Sequence, residues 1–279
     1  MTKGALLIAR NNGELDYVKQ AVFLAKRIKK YLNIPTSIIT DSVDYLKTSF
    51  DSTVFDEIIS VEYTNDLNTR NFYDGTLSYK TANFKNNYRI NAYDLSPYDE
   101  TLLLDTDYII SNDLFKSCFA SSNDLQMFTK AHDVANIRDP REFIHLSEYS
   151  IDFYWATVVF FRKTPTNKIL FDLIKHIQEN WYHYVSVYQL NSTLFRNDFA
   201  FSIAIHIMNG FSSGDFVSPL PGKHLYTIDK DILWKLTDDK FIFLVEKKDY
   251  AGEYTAVSTE GQSIHVMNKF SLERVIDNE

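Results

Sequence analysis

The chain has 279 residues, 45% of them hydrophobic and 24% charged, with a formal net charge of −8. That balance fits a globular protein with a substantial core and argues against a generic nucleic-acid binder, which carries a basic face. The single cysteine, Cys118, excludes an internal disulfide and fits a reducing compartment. The segment before Arg10 is too short for a secretory signal and no apolar run approaches bilayer length, so a cytoplasmic protein without an integral membrane segment is expected.

Ala5-Leu6-Leu7-Ile8-Ala9 is a short continuous apolar run, the pattern of a buried strand. Asn11-Asn12-Gly13 supplies a turn. Over 15–32 the apolar positions Val18, Val22, Ala25, Ile28 and Leu32 recur every three or four residues, predicting an amphipathic helix that Asn33-Ile34-Pro35 stops. Ser37-Ile38-Ile39-Thr40 is a second strand ending on Asp41, 54–61 offers a third, 81–93 reads as a helix, and 101–104 is again a strand. Further strands are expected at 125–129, 153–162, 241–245 and 263–267, and a loop over a site at 131–150. Thr164-Pro165 opens a helix with Ile169, Leu173, Ile177 and Trp181 on its apolar face. Asn197-Asp198 opens another, carrying Phe199, Ile203 and Ile207. Strand and helix alternate through the first 110 residues, which implies βαβ units and a mostly parallel sheet. No linker or repeat divides the chain, so 1–279 reads as one unit.

Right-handed crossovers place the ends of Ile8, Ile39 and Leu104 on one rim of that sheet, where ligands of open parallel sheets bind. Arg10, Asn11, Asp41 and Asp105 therefore share a neighbourhood. The strand Leu102-Leu103-Leu104 stops on Asp105-Thr106-Asp107, two carboxylates one residue apart. Acids this close repel, which points to a cation between them; Mg²⁺ and Mn²⁺ take oxygen ligands and bridge carboxylates to a diphosphate. A second triplet, Asp229-Lys230-Asp231, follows no apolar strand and reads as a solvated turn. Near the end, His265 leaves an apolar strand and Lys269 follows four residues later. The pair could be an imidazole ligand with a phosphate-pairing cation, or His265 a satisfied structural histidine. His132, His145, His176, His183 and His206 have no partners in the sequence pattern, and Cys118 reads as a buried, inert thiol. Dinucleotide, P-loop and zinc signatures are all missing.

Thr101 to Asp107, followed by Tyr108-Ile109-Ile110, resembles the Asp-x-Asp strand of GT-A fold glycosyltransferases. Tyr88-Arg89-Ile90 is similar to the helix in which family 8 enzymes and their relatives carry a basic residue before that strand. The apolar strand Trp155-Ala156-Thr157-Val158-Val159-Phe160-Phe161, the helix start at Asn197-Asp198, and His265 with Lys269 follow in the family's order. Asn268 and Ser271 depart from family 8, which has Gly and Lys there. The resemblance implies an α/β fold of GT-A type: a Rossmann-like, mostly parallel central sheet flanked by helices. In it, 1–112 is the nucleotide-sugar half, and 113–279 a smaller mixed acceptor-side half with a metal- and phosphate-binding end. It implies a metal-dependent transfer of a sugar from a nucleotide-diphosphate sugar, a UDP-sugar, to a hydroxyl acceptor with retention. Mn²⁺ or Mg²⁺ would sit on Asp105, Asp107 and His265. Donor contacts would come from Ala9, Arg10, Asn11, Asp41, Lys80, Arg89, Asp105, Thr106, Asp107 and Lys269. Asp198 would be catalytic, aligning the sugar or the incoming hydroxyl. The acceptor, whether glycan, protein, lipid or modified nucleic-acid base, has no signature. Two alternatives stand beside this. A sugar-phosphate nucleotidyltransferase shares the sheet and the acids but opens with a glycine-rich basic loop, where this chain has only Gly13. The other is a non-catalytic nucleotide-sugar-binding module.

Overall fold

A computed structural model describes residues 1–62, 68–85, 87–138, 144–146 and 151–278. The chain begins with strand β1 (Lys3–Ile8), helix α1 (Tyr17–Tyr31), strand β2 (Thr36–Thr40), helix α2 (Val43–Ser49) and strand β3 (Glu57–Ser60). Asp16 caps α1 by accepting from the Lys19 amide at 2.9 Å, and the helix buries Val18, Val22, Ala25 and Ile28, the stripe the periodicity predicts. Asn33, in the left-handed region at φ 53°, and Pro35 then end it. A hairpin of β4 (Thr69–Tyr73) and β5 (Tyr79–Asn83) follows, then a 3-10 turn over Asn87–Asn91 and the short helix α3 (Ala92–Leu95). The expected helix over 81–93 is thus a strand end, a tight turn and one helical turn. The polar hairpin covers only a small apolar cluster, Leu15 with Phe72 and Ala82, too little to show as alternation in the sequence.

Next come β6 (Glu100–Leu104), β7 (Tyr108–Ile109), α4 (Lys116–Ala120), β8 (Leu125–Phe128), β9 (Ala131–Asp133) and β10 (Trp155–Arg162). The stretch expected to be a loop at 131–150 therefore starts as a strand, and 139–143 and 147–150 lie outside the described residues. Helices α5 (Pro165–Glu179), α6 (Trp181–Val187) and α7 (Asn197–Met208) precede β11 (Ser218–Pro219), β12 (His224–Tyr226), β13 (Ile232–Thr237), β14 (Lys240–Lys247), β15 (Tyr250–Glu260), β16 (Ile264–His265) and α8 (Lys269–Ile276). Thr164 caps α5 and Pro165 occupies its first turn, as the sequence suggests. Its buried face is Leu170, Phe171, Ile174 and Ile177; Ile169 points outward and Trp181 opens the next helix. On α7 the buried face centres on Phe201, Ile203 and Ala204, with Phe199 and Ile207 packed at its edge.

The main sheet runs β11-β8-β10-β6-β1-β2-β3. Strands β6, β1, β2 and β3 are mutually parallel, whereas β10 runs antiparallel between β6 and β8. A fold with a large, mostly parallel sheet flanked by helices matches the sequence expectation. Both faces are covered, which explains why β1, β2 and β6 are apolar runs rather than alternating ones. Three smaller sheets complete the architecture: β7-β16-β12-β9, β13-β14-β15 and the β4-β5 hairpin. No described helix is long and apolar enough to cross a membrane.

Candidate metal centre and anion cleft

Leu104 ends β6 on the rim of the main sheet, and the chain turns there: the Asp105 amide donates to the Thr157 carbonyl, and the Tyr108 amide to the Asp105 carbonyl. After the turn β7 leaves the main sheet and pairs with β16, with Tyr108 opposite His265. That register, reinforced by the Val266 amide donating to the Asp107 carbonyl at 2.9 Å, brings a histidine from the far end of the sequence beside the acids. His265 Nε2 lies 3.3 Å from Asp107 Oδ2. Lys269, the first residue of α8, reaches the same oxygen at 2.6 Å. Asn268 caps α8 by accepting from the Ser271 amide at 2.9 Å, so the two positions that depart from family 8 secure the helix start.

Asp105 meets Arg89 instead, at 2.7 Å, and the guanidinium also donates to the carbonyls of Ala156 and Thr157. Arg89 is buried, so it holds β10 and the turn together while compensating one acid. Burial pushes the Asp105 carboxyl up to about 6 against the pull of Arg89, and the neighbouring Asp107 adds to the rise. Burial acts the same way on Asp107, but Lys269 and His265 overcome it and hold that carboxyl well below the usual range. The two acids therefore differ: Asp107 is held ionised, whereas the Asp105 carboxyl is shifted upward.

Asp105, Asp107 and His265 each offer a ligand atom within 4.8 Å of the others. Two carboxylates and an imidazole suit a hard or borderline divalent ion. The 3.3 Å between His265 and Asp107 is close to the separation of about 3 Å between adjacent ligands on one octahedral ion. The residues present thus fit Mn²⁺ or Mg²⁺.

The remaining expected residues divide. Thr106 lines the cleft, and so do Arg10 and Asp198. Asp198, in the first turn of α7, accepts from the Ala156 amide at 2.8 Å and from Arg196 at 3.1 Å. Asp41 stands behind the cleft wall, bound to Arg10 at 3.1 Å and Lys85 at 3.4 Å, with Arg10 stacked over Tyr88. Asn11 caps α1, accepting from the Val18 amide and donating to Asp16. Ala9 is fully buried and donates its amide to the Ile39 carbonyl. Lys80 is not brought to the site: on β5 it turns outward and pairs with Glu14 at 2.5 Å.

The cleft also contains residues that the sequence pattern does not single out. Arg70 lies between the rings of Phe72 and Phe84, and among the described residues no carboxylate pairs with it. Lys85, Arg196 and Tyr17 complete the wall. Only the tertiary arrangement brings these residues to the cleft.

Asp231 is a correction. The triplet 229–231 does make a turn, but Asp231 is 1% exposed, not solvated. Arg138 grips both its oxygens at 2.6 and 2.7 Å and also reaches Asp133 at 2.8 Å. Cys118 is buried as expected, its thiol pushed up to about 12 by burial.

No protein-family model and no curated protein matches the chain. Among solved structures it is similar to a galactosyltransferase, LgtC, in complex with donor and acceptor sugar analogues. The identity is 12% and the TM-score 0.45, over 72% of this chain and 70% of that one. An active-site mutant of LgtC gives 11% and 0.47, over 77% and 72%. The glycosyltransferase GlyE of Streptococcus pneumoniae TIGR4 gives 13% and 0.37, over 79% of this chain and 46% of that one. The chemistry of the cleft itself must carry any functional reading.

Proposed function

We propose that this protein is a glycosyltransferase that binds a nucleotide-diphosphate sugar, a UDP-sugar, at the rim of the main sheet and transfers the sugar to a hydroxyl acceptor with retention. The observation that carries the reading is the Asp105-Asp107-His265 cluster set among cleft-lining cations in a chain of net charge −8. A diphosphate with a divalent ion is the ligand that needs both. In this reading 1–112 forms the donor half, and 113–279 the acceptor side with the metal- and phosphate-binding end.

Mn²⁺ or Mg²⁺ on Asp105, Asp107 and His265 would act as a Lewis acid on the departing nucleoside diphosphate. The chain's own residues do the rest. Arg89 fixes Asp105 in place, while Lys269 and Arg70 present positive charge to the phosphate oxygens. Arg10, its side chain buried between Asp41 and Tyr88, would stiffen the wall against which the base or ribose lies. Asp198 has an oxygen committed to the Ala156 amide and the other to Arg196. Such a carboxylate aligns a sugar hydroxyl better than it removes a proton, which favours retention over an inverting general base.

The test is a thermal-shift panel of nucleotide-sugars with and without Mn²⁺, followed by assay of nucleoside diphosphate release. A ligand raises the melting temperature according to its affinity for the folded chain. A UDP-sugar should stabilise only with Mn²⁺ present, and Asp107→Asn should abolish that dependence. Unchanged transfer by Asp107→Asn at saturating Mn²⁺ would sink the scheme.

A further inference from the structure

His224 is fully buried on β12, within a ring cage. Its imidazole stacks on Tyr108 at 5.9 Å and Phe128 at 5.1 Å, with Trp155 4.8 Å away, all between ring centres. A phenylalanine would fill such a cage without leaving a polar atom to satisfy. Neither ring nitrogen of His224 has a hydrogen-bond partner, and neither has Nδ1 of His265. Buried polar atoms without partners are rare in folded proteins. Three of them on two rings 5.7 Å apart call for one common explanation. The sheet explains their meeting. β12 and β16 are parallel neighbours with Tyr226 opposite His265, so His224, two residues before Tyr226, lies on the same face as His265. Tyr108, opposite His265 on the other side, closes the same face.

A histidine that gives Nε2 to a metal carries its proton on Nδ1, and that N–H needs an acceptor to fix the ring. We infer that His224 is the positioning residue for His265: its ring nitrogen pairs with Nδ1 of His265 across one water, and so fixes the tautomer and tilt that aim Nε2 at Asp107. The inference rests on the reading of His265 as a metal ligand. It adds a partner from a different strand, at a position the sequence pattern does not mark.

The experiment compares the wild-type chain with His224→Phe, which keeps the ring cage and removes the nitrogens. Side-chain ¹⁵N spectra of histidine-labelled protein read the tautomer of His265, and Mn²⁺ titration reads affinity. In wild type the His265 ring should occupy a single tautomer, with the proton on Nδ1 when Mg²⁺ is present. In His224→Phe the tautomers should mix and Mn²⁺ should bind about 10–100-fold more weakly, with the melting temperature retained. Equal Mn²⁺ affinity and equal tautomer populations in the two proteins would overturn the role of His224 and leave the metal reading standing. A wild-type chain that binds neither ion would overturn the metal reading, while the metal-free tautomer comparison would still decide the pairing. If His224→Phe does not fold, the wild-type spectrum decides at the His224 ring: a hydrogen-bonded shift on one of its nitrogens, together with a hydrogen-bonded Nδ1 on His265, supports the pairing, and His224 nitrogens without any hydrogen-bond shift refute it.

Discussion

Lys269→Met tests the charge balance of the cluster most directly. The ammonium lies 2.6 Å from Asp107, and both side chains are nearly buried, at 12% and 5% exposure. Methionine keeps the length and apolar stem but leaves Asp107 with His265 alone. Removing one partner of a buried pair costs about 3–5 kcal/mol, because the remaining charge stays desolvated. For a chain of this size, at about 2–3 °C per kcal/mol, the metal-free variant should melt about 6–15 °C below wild type. A divalent ion reverses the order of effects. In wild type it must compete with Lys269 for the Asp107 oxygen, whereas in the variant it supplies the missing positive charge. Saturating Mn²⁺ should therefore raise the melting temperature of Lys269→Met by more than it raises that of wild type, and close most of the gap. The measurement is differential scanning fluorimetry across a Mn²⁺ titration, with NaCl at matched ionic strength as the control. A variant that melts with wild type in the absence of metal, or gains no more from Mn²⁺ than wild type does, refutes the reasoning.

Three further outcomes separate the site from its surroundings. Asp231→Asn breaks the bidentate grip of Arg138, and should cost about 3–5 kcal/mol in chemical denaturation while Mn²⁺ affinity stays unchanged. Lys80→Ala removes an exposed pair with Glu14 and a long contact over the Phe270 ring, so stability should move by less than about 1 kcal/mol and donor binding by isothermal titration not at all. Arg70→Gln should weaken nucleotide-sugar binding about tenfold, the effect of one lost charge-assisted bond, without altering Mn²⁺ affinity in the absence of donor.

The legible parts of this fold are those whose signal is local and repeated. The runs at Ala5 to Ile8 and Leu102 to Leu104 are apolar because both sheet faces are covered, and the stripe on α1 is complete because that helix has one buried side. Asp105 and Asp107 were visible because an apolar strand rarely ends on two acids. The hairpin of β4 and β5 was not, because its residues mostly face solvent and its pattern carries little hydrophobic contrast. Asp231 looked solvated for a different reason. Its partner Arg138 is 93 residues away, and no window of the sequence contains both. His224 likewise means nothing until β12 and β16 are side by side. Local chemistry can be read from a sequence, whereas compensation between distant charges needs the fold.

The distance along the chain between the parts of the cluster has a consequence for how the protein is made. Asp107 and Lys269 are 162 residues apart, and His265 reaches Asp107 through the pairing of β16 with β7. A ribosome adding residues in order produces the two acids long before their imidazole and ammonium partners. Until the segment around 265–269 emerges, Asp107 lacks both groups that offset its burial in the finished fold, and the turn after β6 has no β16 to pair with. Closing so long a loop is slow compared with local helix and hairpin formation. The nascent chain can therefore assemble the parallel strands first and acquires its cation site only after residues 265–269 have emerged. Until then nucleotide-sugar has no complete site to enter, and divalent ions in the cell meet only a half-formed cluster.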